Sequence, residues 1–155
     1  MKRILGTGIL AGALAASVIL GTGVTEAQAN VRGVILKNNY SKKCLWGNVT
    51  KRTVSLAKCN KNSYKDSWYI SGNLILNMDD PDFCLYAPKK FEGTPTLAWC
   101  SSADPRYLWV HASTRDGAST PFANTKGGYL KSVGGKVKSG KRTSAKSPFF
   151  WTIDY

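Results

Sequence analysis

The sequence predicts an all-β fold closed around a pseudo-three-fold axis and built from three units of about forty residues. Three tryptophans, Trp68, Trp109 and Trp151, stand 41 and 42 residues apart and mark the same point of each unit. Self-similarity at a fixed period indicates a repeated supersecondary unit. Because the three copies run nearly end to end, little chain is left for capping pieces, and closure is expected to remove exposed sheet edges.

A cysteine frame accompanies the first two tryptophans. Trp68 comes nine residues after Cys59, and Trp109 comes nine residues after Cys100. The three units contain equivalent triplets: Cys44-Leu45-Trp46, Cys84-Leu85-Tyr86 and Tyr129-Leu130-Lys131. Since the last triplet lacks the cysteine, the third unit is interpreted as a degenerate repeat of the other two.

Short segments rich in β-branched and aromatic residues alternate with turn signals, and no helical periodicity interrupts them. The predicted strands are, in order, Gly33–Lys37, Cys44–Trp46, Val54–Lys58, Ser67–Ile70, Leu74–Asn77, Cys84–Ala87, Thr96–Cys100, Tyr107–His111, Tyr129–Val133 and Phe149–Ile153. Turns are predicted between them, for example at Asp116-Gly117, Gly127-Gly128 and Gly134-Gly135. The repeated tryptophans are interpreted as core residues, because their flanks alternate with the period of two that strands show.

Residues 1–29 are interpreted as a secretory signal peptide. Lys2 and Arg3 give a positive start, an apolar stretch follows, and Ala27-Gln28-Ala29 forms a small-x-small cleavage site. A transmembrane helix is the alternative, although glycines interrupt the apolar run. The mature chain is then one secreted, extracellular domain, residues 30–155, without a transmembrane segment.

The chain is strongly basic, with 22 Lys and Arg against 9 Asp and Glu and a formal net charge of +13. Removal of residues 1–29 leaves a net charge of +12. Such a surface favours anionic partners such as acidic glycans, wall polymers or lipid headgroups, and solubility with non-specific adhesion is the alternative. Nucleic acid is not expected as a partner, because no recognised binding motif is present.

Four cysteines in an exported chain indicate two disulfides, for which three connectivities are possible. The repeat favours Cys44–Cys59 and Cys84–Cys100, each closing a loop that contributes roughly 3 kcal/mol. There is no Cys-x-x-Cys pair and only one histidine, so a zinc site is not expected. The acidic cluster at residues 79–82 lacks the ligand set of a calcium loop and is interpreted as a turn. No metal or cofactor is predicted.

The units resemble the repeat of the ricin-type β-trefoil domain, the R-type lectin module. That repeat carries Cys-Leu, an apolar residue three positions before a second cysteine, and then Gln-x-Trp. The matching residues are Cys44-Leu45, Leu56, Cys59 and Trp68 in the first unit, Cys84-Leu85, Leu97, Cys100 and Trp109 in the second, and Tyr129-Leu130 and Trp151 in the third. The resemblance covers essentially the whole mature chain and implies a β-trefoil that binds carbohydrate.

The positions that the family uses to bind sugar are all replaced. The glutamine of Gln-x-Trp is replaced by Asp66, Tyr107 and Phe149. The aspartate after Cys-Leu is replaced by Trp46, Tyr86 and Lys131, and the asparagine three residues before the tryptophan by Lys65, Arg106 and Pro148. The stacking aromatic is replaced by Ala57 and Ala98. The sequence therefore predicts no conventional galactose pocket.

The predicted ligand-binding residues fall into two sets. Trp46 and Tyr86 are expected to form a stacking surface for a glycan or a hot spot for a protein partner, the alternative being that they pack on the disulfides. A basic lobe of the third unit is expected to grip sulfate, phosphate or carboxylate groups, and a solvated loop is the alternative. This lobe comprises Lys131, Lys136, Lys138, Lys141 and Arg142, with Lys126 and Lys146 flanking them. Trp99 is expected to pack on its neighbouring disulfide.

Catalysis has little support in the sequence, because His111 is the only histidine and no Gly-x-Ser-x-Gly motif occurs. We therefore predict a secreted, non-enzymatic module that recognises a cell-surface or wall glycan, with anionic glycans among the candidates. The alternative is a protein-binding adaptor, or the delivery subunit of a multi-component secreted assembly such as a toxin.

Overall fold

The computed structural model describes residues 33–143 and 147–155, which form short strands and two single 3-10 turns. The strands are β1 (Val34–Asn38), β2 (Cys44–Asn48), β3 (Thr53–Ala57), β4 (Ser67–Ser71), β5 (Leu74–Asn77), β6 (Asp80–Tyr86), β7 (Thr96–Trp99), β8 (Trp109–Val110), β9 (Ser119–Pro121), β10 (Ala123–Asn124), β11 (Gly128–Val133), β12 (Lys136–Gly140) and β13 (Phe150–Asp154). The 3-10 turns are Pro105–Tyr107 and Ser147–Phe149. The prediction of an all-β chain is confirmed for these residues.

The predicted signal peptide, residues 1–29, and Lys146 of the basic set lie outside the described residues. Within the described ranges, the structure contains no helix with the length and apolar character needed to span a membrane.

All strand pairs are antiparallel and fall into two sheets. The larger sheet has the order β2-β3-β7-β6-β5-β4-β1-β13-β9, and the smaller has the order β12-β11-β10-β8. The first described strand pairs with the last, with Leu36 opposite Ile153, and also with β4 and β2. This pairing covers the edges of the terminal strands, as the closed arrangement predicted from the sequence requires.

The three repeated tryptophans are fully buried and make the same hydrogen bond. Trp68, Trp109 and Trp151 each expose 0% of their surface, which confirms the prediction that they are core residues. Each indole Nε1 donates to the carbonyl oxygen of the leucine in its own unit's triplet. The pairs are Trp68 with Leu45 at 3.0 Å, Trp109 with Leu85 at 2.9 Å, and Trp151 with Leu130 at 3.1 Å. These bonds satisfy the only polar group of each indole inside the core.

A buried asparagine stands opposite each tryptophan on the neighbouring strand. The pairs are Asn77 with Trp68, Asn124 with Trp109, and Asn38 with Trp151. Each asparagine Nδ2 donates to a backbone carbonyl ahead of its tryptophan, and each Oδ1 accepts from the turn that follows the asparagine. Because each pair joins one unit to the next, and the last to the first, the contacts form a ring around the core.

The two predicted disulfides are confirmed. Cys44 is bonded to Cys59 and Cys84 to Cys100, so each bridge lies within one unit. Cys44 and Cys84 are completely buried beside the core leucines that follow them. The aromatic residue after each Cys-Leu is only partly covered, and the pattern of the strand therefore directs Trp46 and Tyr86 away from the centre.

Three strands were absent from the sequence-based prediction, and two strands begin two or more residues away from their predicted starts. Strands β9, β10 and β12 were not predicted; β12 is rich in lysine, serine and glycine, yet it pairs with β11 across the two-residue turn Gly134-Gly135. Both glycines have positive φ, 56° and 74°, which the favoured hairpin turns require. Tyr107 ends a 3-10 turn instead of opening a strand, because Asp104 caps that turn and Pro105 begins it. Strand β6 already begins at Asp80, inside the predicted turn at residues 79–82.

Candidate functional site

In the first unit, an aromatic ring and a cation meet where the family has its sugar-binding aspartate and asparagine. The Nζ of Lys65 lies 5.7 Å from the ring centre of Trp46, which is half-buried on β2. The backbone N–H of Gly47 donates to the carbonyl of Lys65 at 2.8 Å and holds the two segments together. A Cβ at position 47 would meet Asn77 and Trp68, so only glycine fits between this pair and the core.

The second unit repeats the arrangement with a tyrosine and an arginine. The guanidinium carbon of Arg106 lies 4.8 Å from the ring centre of Tyr86, within cation–π range. The N–H of Ala87, the counterpart of Gly47, donates to the carbonyl of Arg106 at 2.9 Å. Tyr86 also packs against Tyr107, with ring centres 4.6 Å apart. The same backbone contact therefore positions an aromatic–cation pair in both units.

Asp104 fixes the pair of the second unit in place. Arg106 donates to its carboxylate from Nε at 3.2 Å and from Nη2 at 2.8 Å, and the Tyr86 hydroxyl donates to Oδ2 at 3.2 Å. The hydrogen bonds from Arg106 hold the pKa of Asp104 below its usual value, and the carboxylate in turn raises the pKa of Arg106. Partial burial, followed by the charge of Asp104, raises the pKa of Tyr86. At neutral pH the group is an ion pair with a protonated phenol beside it.

In the third unit the cation stands at the position that holds the aromatic residue in the other two units, and it forms an ion pair with a carboxylate of the second unit. Lys131 stands in the place of Trp46 and Tyr86, and its Nζ lies 5.5 Å from the ring centre of Phe149. Its side chain is only 8% exposed, and Nζ donates to Oε1 of Glu92 at 2.6 Å. The N–H of Glu92 donates to Ser139, and a Cβ at Gly140 would overlap the Glu92 side chain. Lys131 is therefore a buried, paired cation and does not lie in an exposed lobe.

The other residues of the predicted basic lobe do not converge on one point. Lys136 is exposed at the tip of the β11–β12 hairpin, and Lys141 and Arg142 are exposed beyond the other end of β12. Five residues of strand separate Lys136 from Lys141, a span of roughly 16 Å. Lys138 is half-buried, and its Nζ contacts Thr94 Oγ1 at 3.2 Å. The guanidinium of Arg142 lies 5.2 Å from the ring centre of Phe150.

A groove that the sequence did not predict as a site lies between the second and third units. It has a volume of about 360 Å³ and is lined by Lys89, Asp104, Pro105, Arg106 and Lys126. Asn124 holds both of its walls, since Nδ2 donates to Pro105 at 2.9 Å while Oδ1 accepts from the N–H of Lys126 at 2.9 Å. The signal available in the sequence was Arg106, three residues before a repeated tryptophan and two after Asp104.

Trp99 provides a further aromatic surface. It had been expected to pack on the Cys84–Cys100 disulfide, but 56% of its surface is exposed, and its ring rests on Phe83 with centres 4.5 Å apart. All four cysteines are in disulfides, and within residues 33–143 and 147–155 no group of three or more possible metal ligands comes together. The Nε2–H of His111 donates to the carbonyl oxygen of Gly72 at 3.0 Å, and the ring packs near Phe122.

Comparison with known proteins identifies the fold. No protein-family model matches the chain, and neither does any curated protein. The solved structures that it matches include the GlcNAcα1-4Gal-releasing endo-β-galactosidase from Clostridium perfringens, at TM-score 0.64 and 17% identity over 80% of this chain and 32% of the enzyme. A non-toxic homologue of type II RIPs from Momordica charantia, in complex with α-methyl-D-galactoside, matches at TM-score 0.62 and 17% identity over 79% of this chain and 47% of that one.

A designed three-fold symmetric protein, ThreeFoil, matches over nearly its whole length. Its TM-score is 0.61 at 13% identity, and the match covers 79% of this chain and 97% of ThreeFoil. By contrast, the present chain spans about a third of the galactosidase and about half of the Momordica protein. At these identities the likeness concerns the fold, and it agrees with the ring of tryptophan and asparagine contacts. The chain has the β-trefoil fold, as the resemblance to the ricin-type repeat predicted.

Proposed function

We propose that this chain is a secreted carbohydrate-recognition module without enzymatic activity of its own. In this proposal residues 1–29 direct export and are removed, and residues 30–155 form a β-trefoil of three pseudo-symmetric repeats. The two intra-unit disulfides are consistent with an oxidising, extracellular location. The matched Momordica protein carries a bound galactoside, and the matched Clostridium enzyme acts on a glycan.

The observation that carries the proposal is the recurrence of one aromatic–cation pair in two units. Trp46 with Lys65, and Tyr86 with Arg106, stand where the family resemblance expects an aspartate and an asparagine. Aromatic rings offer a flat apolar platform for a sugar face, and the cation beside each ring offers hydrogen-bond donors to oxygen atoms. The aspartate of the family pattern, which would accept from sugar hydroxyls, is replaced by an aromatic residue in both units, and the cation beside each ring adds donors. Asp104 of the second unit is already bonded to Arg106 and Tyr86. This exchange, with the basic composition, favours a cell-surface or wall glycan that carries negative charge.

The proposed absence of catalysis rests on the surroundings of the groups that could act. His111 is turned to a backbone carbonyl and to Phe122, without a carboxylate within hydrogen-bond reach among the described residues. Asp104 is held ionised by Arg106 and Tyr86, and its lowered pKa makes it a poor general acid or base at neutral pH.

A glycan array tests the proposal. The secreted, oxidised chain is probed at low and at high salt against neutral and acidic glycans, and we expect binding to acidic ones that falls steeply as salt rises. Trp46→Ala should reduce that binding by about tenfold if the ring is an anchor. Tyr64→Ala is the matched control, because Tyr64 is 69% exposed and lies outside both pairs. An array without binding to any neutral or acidic glycan would refute the proposal.

A second candidate function has one observation in its favour. Trp99 is 56% exposed on a rigid support, since its ring rests on the buried Phe83. Large exposed aromatics of this kind are frequent hot spots in protein interfaces. The chain would then be a protein-binding adaptor or the delivery subunit of a secreted assembly such as a toxin. Stoichiometric co-purification of another secreted protein, abolished by Trp99→Ala and kept by Trp46→Ala, would support this function over glycan recognition.

A further inference from the structure

We propose that the groove between the second and third units binds a sugar unit bearing a carboxylate or a sulfate, through Lys89, Arg106 and Lys126. The inference rests on the proposed carbohydrate function and names the ligand chemistry and the subsite. The groove has a volume of about 360 Å³, at the lower end of the range for small-molecule sites and large enough for a monosaccharide. It differs from the aromatic–cation pairs because it draws a residue, Lys126, from the next unit.

The charge of the groove is positive and largely uncompensated. Its one carboxylate, Asp104, is already bonded to Arg106 at 2.8 Å. Lys89 and Lys126 are exposed, and neither makes an ion pair within the part of the chain that the structure describes. The ammonium groups of Lys89 and Lys126 therefore lie beside the Asp104–Arg106 ion pair, and no further carboxylate of the groove balances their charge. An anionic ligand would supply the balancing negative charge.

Arg106 is preorganised to take part. Asp104 binds its Nε and Nη2, the Tyr86 ring lies 4.8 Å away, and no hydrogen bond from Nη1 is found among the described residues. The walls are equally fixed, because Asn124 is 3% exposed and bonds the backbone of Pro105 and Lys126. A site whose donors are already held in position loses little freedom on binding, which favours affinity.

The pseudo-symmetry of the fold supplies an internal comparison. Lys126 and Asp79 are equivalent, since each donates its N–H to the Oδ1 of the buried asparagine two residues earlier. Lys89 stands five residues after Cys84, and Val49 stands five after Cys44. The first unit therefore combines Lys65 with a valine and an aspartate where the second combines Arg106 with two lysines. Three cations therefore come together in the groove between the second and third units, but not at the equivalent position between the first and second units.

The test titrates the oxidised mature chain with glucuronate, glucose 6-sulfate and glucose, and follows backbone amides by NMR. We expect the two acidic sugars to bind and to shift the Arg106 and Lys126 amides, whereas glucose, the neutral match, leaves them unchanged. Lys89→Gln and Lys126→Gln should each weaken binding by roughly three- to fivefold, as exposed charge contacts do. Arg106→Met should weaken it by at least about tenfold, because it removes the fixed donor.

Lys51→Gln is the matched control, since it removes an exposed lysine of the first unit that lies outside both aromatic–cation pairs and outside the groove, and it should leave the affinity of this groove unchanged. The Lys89→Gln/Lys126→Gln double variant leaves the Asp104–Arg106 pair intact, so a weakened affinity there is not caused by a disturbed fold. Equal affinity of this double variant and the parent, or equal binding of glucose and glucuronate, would overturn the inference. Array binding by the parent chain, together with no shift of the Arg106 and Lys126 amides on titration with glucuronate, would refute this subsite but leave the proposed function standing, whereas an empty array refutes the proposed function.

Discussion

Replacing Asn124 by alanine should be among the most destabilising substitutions available in this chain. Its side chain makes four hydrogen bonds of 2.8 to 2.9 Å: it donates to two carbonyls ahead of Trp109 and accepts from two N–H groups of the following turn. The residue is 3% exposed, so water has little access to the four groups that alanine would leave. At about 1 kcal/mol for each lost bond, the expected loss of unfolding free energy is about 4 kcal/mol.

The other two asparagines of the ring make fewer or longer hydrogen bonds, so their replacement should cost less stability. Asn77 makes two longer bonds, at 3.4 Å to Lys65 O and at 3.2 Å from the Asp79 N–H, so Asn77→Ala should cost about 1 to 2 kcal/mol. Asn38 donates at 3.0 and 3.4 Å and accepts from two backbone N–H groups, which places Asn38→Ala between the others. Asn62 is exposed, and Asn62→Ala should change stability by less than about 0.5 kcal/mol.

Urea unfolding of the oxidised variants, followed by tryptophan fluorescence, measures these differences, provided that the dependence of free energy on urea stays the same between variants. The loss of unfolding free energy is expected to be largest for Asn124→Ala, intermediate for Asn38→Ala and smallest for Asn77→Ala. A cost below about 1 kcal/mol for Asn124→Ala, or an Asn77→Ala variant that is equally damaged, would refute the view that hydrogen-bond number and length set the cost.

Three further predictions concern ionised groups and cross-links. Glu92→Gln and Lys131→Met should show a coupling of about 1 to 2 kcal/mol in a double-mutant cycle by urea unfolding, because Lys131 is nearly buried; additive effects would contradict this. Burial raises the pKa of Asp66 above 3.8, so the folded state holds its proton longer and stability falls as pH rises from 3.8 through the folded pKa. Asp66→Asn should remove that fall. If the unfolding free energies of the parent and of Asp66→Asn depend on pH in the same way, the prediction is wrong. Replacing both Cys84 and Cys100 by serine should lower the free energy of unfolding by roughly 3 kcal/mol, because the disulfide restricts the unfolded loop. An unchanged urea midpoint would show that this loop closure does not stabilise the fold.

The fold was predictable because its signal is repeated. The cysteine and tryptophan spacing appears twice intact and once worn, and it identified the core tryptophans and both disulfides without knowledge of distances. Strand β12 was missed because its composition is unfavourable for a strand. It forms through its pairing with β11 and through the bridge between Gly93 and Ser139, which are contacts between distant segments.

The site was less predictable, for a physical reason that Lys131 illustrates. Charge counting assigned it to an exposed basic lobe, but its partner Glu92 lies 39 residues earlier, in a loop of another unit. Likewise, Lys65 and Arg106 were noted as departures from the family pattern, whereas their pairing with Trp46 and Tyr86 depends on tertiary contacts. A single sequence carries no information on such partners unless a motif fixes their spacing.

The core and the surface of this fold are built from separate residues, and that separation explains how the site could change while the trefoil remained. Inside the barrel each indole N–H donates to a leucine carbonyl, and each buried asparagine bonds other backbone groups. None of these hydrogen bonds needs the side chain that follows Cys-Leu. That position is half-buried in two units, so Trp46 and Tyr86 fit there at no cost to the core. In the third unit the same position became Lys131, and its charge is matched by Glu92 from a neighbouring loop. One position thus holds an open aromatic–cation pair in two units and a closed ion pair in the third, and recognition is expected from the two open units and the groove beside them.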